Sequence, residues 1–234
     1  NTGTTTFFNP YALDFDGSDD YVNVGNDASL AFGAGNSFSY SLWMNQGTAQ
    51  GGWRGLVYHD SYGKSQGHIG LQAYTRYLSA GTGDGSTWQT QSSTYVPTVN
   101  TWVHVAMTLD RGINILKLYA DSVEVGSFSH SYVPASPTVT LRIGEGSSGK
   151  EHFDGLLDDV RIYNRALAAS EVAAIAAGSA GGGSGRYVLG AALDVNGDLG
   201  LYDSTLDVSA SNYGVNLAGN LMNSGDFTKR SGTV

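Results

Sequence analysis

One stretch constrains this chain more than any other: Phe153-Asp-Gly-Leu-Leu-Asp-Asp-Val-Arg-Ile-Tyr-Asn-Arg-Ala-Leu167. It reads as a strand that runs straight into a short helix. Alternate residues of an extended chain share a face. Asp158 is then expected on the face of Val160 and Ile162, and Asp159 on that of Arg161 and Tyr163. Burying a lone charge is very costly. A carboxylate on an apolar face therefore requires a cation, a metal or several N–H donors beside it.

The same alternation recurs upstream. Phe38, Tyr40, Leu42 and Met44 alternate with Ser39, Ser41, Trp43 and Asn45, and Val103, Val105, Met107 and Leu109 with Trp102, His104, Ala106 and Thr108. Segments 115–119, 123–125 and 139–143 are further strands, with Asp121-Ser122 as a hairpin turn. One helix is predicted, from Ala169 to Ala177, with Val172 and Ile175 on one side and Gly178 as its stop. Many strands and one terminal helix predict an all-β chain, a two-sheet antiparallel sandwich. The 33 Gly and 14 Tyr of the 234 residues suit such a fold with many tight turns.

Composition narrows the chemistry. There is no Cys, which excludes disulfides, thiol catalysis and zinc–thiolate sites. The formal net charge of −9 makes nucleic acid an unexpected partner and suits hard cations such as calcium. No apolar run reaches the length of about 18 residues that a membrane span needs. The chain starts at Asn1 without a signal peptide, so a processed chain or a fragment is expected. Few Lys among many Ser, Thr, Gly and Asn fit an extracellular or bacterial cell-surface protein.

Ala12-Leu-Asp-Phe-Asp-Gly-Ser-Asp-Asp-Tyr-Val22, Phe38-Ser-Tyr-Ser-Leu-Trp43, Thr101-Trp-Val-His-Val-Ala106, Leu118-Tyr-Ala-Asp-Ser122 and the 153–167 stretch occur in that order. Together they resemble the laminin-G-like, concanavalin-A-like jelly-roll domains. The resemblance covers residues ~12–177. It implies a sandwich used for carbohydrate or protein binding, often carrying one calcium, with the N-terminal turn lying against the closing strand.

Gly178-Ser-Ala-Gly-Gly-Gly-Ser-Gly185 has little side chain to pack and reads as a flexible linker. The expected organisation is a jelly-roll domain over 1–178, a linker over 179–186 and a second segment over 187–234. In that segment Leu193–Leu201, Ser204–Val208, Tyr213–Leu221 and Gly225–Thr228 read as strands separated by Gly, Asn, Asp and Ser turns. None can bury a face alone. The pattern resembles rungs of the parallel β-solenoids of adhesin-like proteins. An incomplete solenoid is expected, from a longer protein or with its edge completed by another subunit.

The candidate metal set is Asp16, Asp19 and Asp20 in the Gly-containing N-terminal turn, with Asp158 from the closing strand, as a structural calcium site. The alternative is that these aspartates cap turns. Trp53, Tyr58, Tyr62, Tyr74, Tyr77 and Trp88 form the candidate ligand-binding set, since aromatic faces stack on sugar rings. The same rings could fill a core, and both readings stand at this point. Gly144-Glu-Gly-Ser-Ser-Gly149 matches a dinucleotide fingerprint but leads into a strand, not the helix that would hold phosphate. Asp194-Val-Asn-Gly-Asp198 lacks the Gly and the acidic residue that complete a calcium loop.

Catalysis is not expected. There are four Glu (Glu124, Glu145, Glu151 and Glu171) and no Glu-x-Asp-x-x-Glu strand motif. The five His show no metal-ligand spacing, and His104 reads as structural. The chain is expected to be a non-enzymatic adhesion module that recognises carbohydrate or a surface protein. Two alternatives are a filament or sheath subunit, assembled by strand addition through the Thr4-Thr-Thr-Phe-Phe8 arm and the solenoid edge, and a glycan-processing enzyme.

Overall fold

The computed structural model describes residues 12–32, 35–47, 52–59, 67–134, 140–146 and 151–179, and beyond them only the strand segments named below. The chain divides into two units, Asn1–Ala173 and Ala174–Val234. This boundary falls within the C-terminal helix, a few residues before the Gly/Ser run. The Thr4–Phe8 arm lies outside the described residues.

The strands of the first unit are β1 Leu13–Asp16, β2 Val22–Gly25, β3 Phe38–Gln46, β4 Arg54–His59, β5 Gly67–Leu71 and β6 Leu78–Gly83. They continue with β7 Trp88–Ser92, β8 Val103–Asp110, β9 Ile115–Ala120, β10 Val123–Ser129, β11 Leu141–Ile143 and β12 Asp154–Tyr163. They form two six-stranded antiparallel sheets, ordered β1-β12-β3-β8-β9-β10 and β2-β11-β4-β5-β6-β7. This is the expected two-sheet sandwich. The Asp121-Ser122 turn between β9 and β10 has both residues at positive φ (44° and 68°), which matches the twist of a tight hairpin.

Alternation decides what lies between the sheets. Phe38, Tyr40, Leu42 and Met44 of β3 and Val105, Met107 and Leu109 of β8 are fully buried. They join Leu56, Ile69, Leu71, Leu78 and Ala80 of the second sheet in one core. Each such side chain contributes roughly 1.5–3 kcal/mol by leaving water.

One expectation about β12 fails for a local reason. Asp158 pairs with Trp43, but the next partners are Arg161 and Ser41. Asp159 and Val160 together stand opposite Leu42 alone, a β-bulge, with Asp159 at φ 46°. A bulge inserts one residue and shifts the alternation. Asp158 therefore shares the outer face with Trp43, Arg161 and Tyr163. Val160 and Ile162 pack against the core instead. The Asp158 carboxylate accepts the Asp159 N–H at 2.7 Å, and Asp159 pairs with Arg161 at 2.7 Å.

The helix also differs from expectation. α1 spans Ala169–Ala174 and passes into a π-helical turn, Ile175–Ser179. Gly178 lies inside that turn and does not end the helix. Its entry is fixed by Glu171, which accepts from both Arg165 Nη atoms at 2.7 Å and from Ala168 N at 2.8 Å. The Arg165 hydrogen bonds, with the Ala168 N–H, hold its carboxyl down to about 2. Ser39 Oγ ties this corner to β3, donating to Arg165 O and accepting from Leu167 N.

In the second unit the strands are β13 Arg186–Val188, β14 Leu193–Val195, β15 Leu199–Leu201, β16 Thr205–Asp207, β17 Val215–Leu217, β18 Leu221–Asn223 and β19 Asp226–Thr228. The 193–201 stretch carries two of these strands, β14 and β15. Pairing is parallel throughout: Arg186 faces Thr205, which faces Asp226; Leu193 faces Val215; Leu199 faces Leu221.

Three buried histidines link the first unit's stability to pH. Burial, with His130 nearby, pushes His68 down to about 3. Burial lowers His104 to about 4, helped by Arg161, and His130 to about 4, helped by Arg111. His104 Nε2 hydrogen-bonds Ser41 Oγ at 2.8 Å and His130 Nε2 bonds Thr82 Oγ1 at 2.7 Å. All three stay neutral when folded, while the unfolded chain takes up protons from about pH 6.5 downward. Their stabilisation is complete above pH 6.5 and is lost as pH falls towards 4. Thermal melts at pH 7, 5.5 and 4.5 are expected to show a steady fall in Tm. The fall is shallower in His104→Asn, which removes one of the three titrations. A Tm flat across this range contradicts buried, neutral histidines.

Candidate functional site

The outer face of the second sheet is built by the same register that fills the core. Directly paired residues lie on one face. Tyr58 pairs with His68, His68 with Gly81, and Gly81 with Thr90. The next row is Gly55, Gly70, Ser79 and Ser92, and Gly83 pairs with Trp88. The small residues Gly55, Gly70, Ser79, Ser92 and Gly81 leave a floor of backbone, and Tyr58, His68 and Trp88 stand up beside it. A cavity of about 400 Å³ results, lined by Trp53, Tyr58, His68, Gln72, Trp88, Thr90, Ser92 and Glu151.

Gly70 makes the seat for Trp53. A Cβ on Gly70 would lie 2.8 Å from the indole ring, so the ring rests on bare backbone. His68 is the hub of the aromatic group. Its ring centroid lies 5.2 Å from Trp53, 5.7 Å from Tyr58 and 4.7 Å from Trp88. Its Nε2 stands 3.4 Å from Thr90 Oγ1. The two indole contacts are edge-to-face and the Tyr58 contact is stacked, and such pairs add roughly 0.5–1.5 kcal/mol each beyond area burial. The wall beside Trp53 comes from the segment after β11. A Cβ on Gly146 would meet Trp53 at 3.2 Å and the Glu151 Cβ at 2.9 Å. Arg142 anchors that segment by a 2.8 Å bond to buried Glu145, and its guanidinium lies 5.5 Å from the Tyr21 ring centre.

Of the six aromatics singled out in the sequence, Trp53, Tyr58 and Trp88 meet in this groove. Tyr74 is 89% exposed in the β5–β6 turn at φ 64°. Tyr77 ends that turn, its carbonyl accepting the Gln72 N–H. Neither lines the groove, and Tyr62 lies outside the described residues. His68, Gln72, Thr90, Ser92 and Glu151 went unrecognised in the sequence. Two of them carried a signal: Trp88, Thr90 and Ser92 alternate along one strand, so a surface Trp88 implies the other two.

The acidic set divides in the same way. Asp16, Asp19 and Asp20 converge, with one carboxylate oxygen of each within 4.8 Å of the others. All three are exposed. Asp20 Oδ2 accepts the Asp16 N–H at 3.0 Å and Asp16 Oδ1 the Ser18 N–H at 2.7 Å, so these groups also cap their own turn. The closing strand does lie beside this turn, but Asp154 is the residue opposite Asp16. Asp158 is four positions further along β12, roughly 13 Å away at strand spacing, and does not join the set.

The chain belongs to the concanavalin A-like lectin/glucanases superfamily: the Laminin_G_3 family matches residues 16–173, well over half of the 234. Among curated proteins, the zebrafish (Danio rerio) adhesion G-protein coupled receptor V1 is 24% identical over 147 residues. That match takes in 58% of this chain and 2% of the receptor, so this chain spans a small part of that relative. Among solved structures, domain 4 of AbnA, a GH43 extracellular arabinanase from Geobacillus stearothermophilus in complex with arabinotriose, is 20% identical. Its TM-score is 0.55, covering 70% of this chain and 76% of that one. The CBM40 of the Ruminococcus gnavus IT-sialidase, bound to α2,3-sialyllactose, is 12% identical with a TM-score of 0.58, covering 70% and 96%. At these identities the solved structures share the fold.

If Gly70 is what seats Trp53, then Gly70→Val displaces the indole. A loss of roughly 1–3 kcal/mol is expected, with a changed near-ultraviolet circular dichroism and tryptophan emission. Unchanged spectra and stability would place Trp53 elsewhere.

Proposed function

We propose that this chain is a carbohydrate-binding module that holds a glycan in the groove of β4–β7. One observation carries the reading: an aromatic group of Trp53, Tyr58 and Trp88 flanks a strip of Gly and Ser on an outward sheet face. A sugar ring presents C–H bonds on its faces and hydroxyls at its edge. Indole and phenol rings take the faces, and Gln72, Thr90, Ser92 and Glu151 take the hydroxyls. The cavity of about 400 Å³ suits a ligand of a few sugar units. The solved relatives that hold arabinotriose and α2,3-sialyllactose share this sandwich and support the reading. Glycoside hydrolysis uses a pair of carboxyl groups, and Glu151 is the one carboxylate among the described lining residues. The groove is therefore read as a site of recognition.

In this reading the protein works outside the cell, and no helix among the described residues is long and apolar enough to cross a membrane. The ordered parallel partners of β13–β19 support a β-solenoid stalk. Calcium belongs to the proposal as a structural ion held by Asp16, Asp19 and Asp20. Their oxygens are close enough to share an ion with ligand distances of about 2.3–2.6 Å. Its contribution would be to fix the N-terminal bend.

Affinity electrophoresis and calorimetry against a panel of soluble polysaccharides test the groove. Trp88→Ala is expected to weaken retention at least about tenfold, which is about 1.4 kcal/mol, while Tyr74→Ala leaves it unchanged. Retention indifferent to Trp88 removes the groove from the account. For the ion, calcium is expected to raise Tm over a chelated sample, and Asp16→Asn with Asp19→Asn to abolish the rise. Equal melts with and without calcium end the metal proposal.

A further inference from the structure

The outward row of the groove continues past Tyr58. Tyr58 of β4 pairs with Arg142 of β11, and Arg142 pairs with Asn23 of β2. Directly paired residues share a face. Asn23, Arg142, Tyr58 and His68 therefore stand in one line on the outer side of the sheet. Their chain neighbours Val22 and Ile143, paired with each other, pack against the core, as alternation requires. Asn23 lies two strands beyond Tyr58, roughly 10 Å at strand spacing. This end of the row is both held and open. Arg142 Nη1 donates to Glu145 Oε1 at 2.8 Å, and the Glu145 side chain is 1% exposed. The Tyr21 ring is the second hold, its centre 5.5 Å from the guanidinium carbon. Arg142 keeps 31% of its side chain exposed all the same, and Tyr21 is 48% exposed. The Glu145 bond engages Nη1 and leaves Nε and Nη2 as donors. Asn23 Oδ1 accepts the Gly25 N–H at 3.0 Å, which commits the oxygen and leaves the amide nitrogen as a donor.

We infer that Tyr21, Arg142 and Asn23 form a second sugar subsite, and that the protein selects extended oligosaccharides laid across the strands over single terminal sugars. The inference rests on the sugar-binding reading of the groove. Arg142 Nε and Nη2 and the Asn23 amide only donate, so they suit the hydroxyl and ring oxygens of a sugar. The Tyr21 ring and the guanidinium plane suit its C–H face. An arginine anchored at both Glu145 and Tyr21 has lost its rotamer freedom before any ligand arrives, so binding does not bear that cost. None of the three residues lines the first cavity. A sugar confined to that cavity leaves them untouched. A longer chain follows the row past Tyr58 and gains their contacts without a second loss of translational freedom.

The test is calorimetry of the full chain with a ladder of oligosaccharides, from disaccharide upward, cut from a polysaccharide that the wild type retains. The chain is compared as wild type, Tyr21→Ala, Arg142→Lys and Trp88→Ala, with a melting curve for each. Arg142→Lys keeps a cation beside buried Glu145 and removes the planar fork. Wild-type affinity is expected to rise at least about tenfold along the ladder before it levels off. Tyr21→Ala and Arg142→Lys should each weaken the long members roughly three- to tenfold and leave the shortest within about twofold. Trp88→Ala should weaken every member. If Arg142→Lys melts early, Tyr21→Ala on the exposed surface decides alone. Affinity that ignores chain length, a rise that survives substitution in a folded variant, or equal losses for short and long members would overturn the second subsite. The sugar reading then still stands, provided that Trp88→Ala weakens binding. Retention of no polysaccharide, or retention that ignores Trp88, would overturn the sugar reading and this inference with it.

Discussion

The register of β4 to β7 is the constraint on which the rest depends. Leu71 opposite Leu78 and Ile69 opposite Ala80 point inward and close the core. The intervening residues, Tyr58, His68, Gly70, Ser79, Gly81, Thr90 and Ser92, are thereby fixed on the opposite side. Core and groove are two faces of one alternation. A slip of β5 by one residue against its neighbours would bring His68 into the core and lift Ile69 out of it. The apolar burial that stabilises the sandwich therefore also fixes the groove lining.

The fold was legible because its determinants are local. Phe38 to Met44 and Val103 to Leu109 alternate without interruption, and each strand sits where that period places it. Asp158 shows where such reading stops. Its face depended on one extra residue in β12, and nothing in Leu-Asp-Asp-Val marks a bulge. The partner strand supplies the missing information, since Trp43 and Ser41 set the register on either side of it. The family resemblance correctly brought the closing strand to the N-terminal bend. It could not say that Asp154, not Asp158, would stand across from Asp16.

The groove was half legible for a related reason. Trp53, Tyr58 and Trp88 were visible as aromatics, but Tyr74 and Tyr77 had the same appearance in the sequence. What separates them is position: the first three stand along one sheet face, the other two in and at the end of the β5–β6 turn. Composition counts rings and cannot place them. His68 was hidden for the opposite reason. A lone histidine with no metal-ligand spacing offers no pattern. Its role follows from pairing with Tyr58 on one side and Gly81 on the other.

The two sides of the groove differ in how firmly they are held. Tyr58 and His68 sit on interior strands, bonded to neighbours left and right. Trp88, Thr90 and Ser92 sit on β7, the last strand of its sheet, which is tethered along one side only. One side of the groove is thus braced by strands on both flanks and the other by a strand on one flank. Substitutions on that single peripheral strand can therefore change the width of the slot while Leu71, Leu78, Ile69 and Ala80 keep their places in the interior.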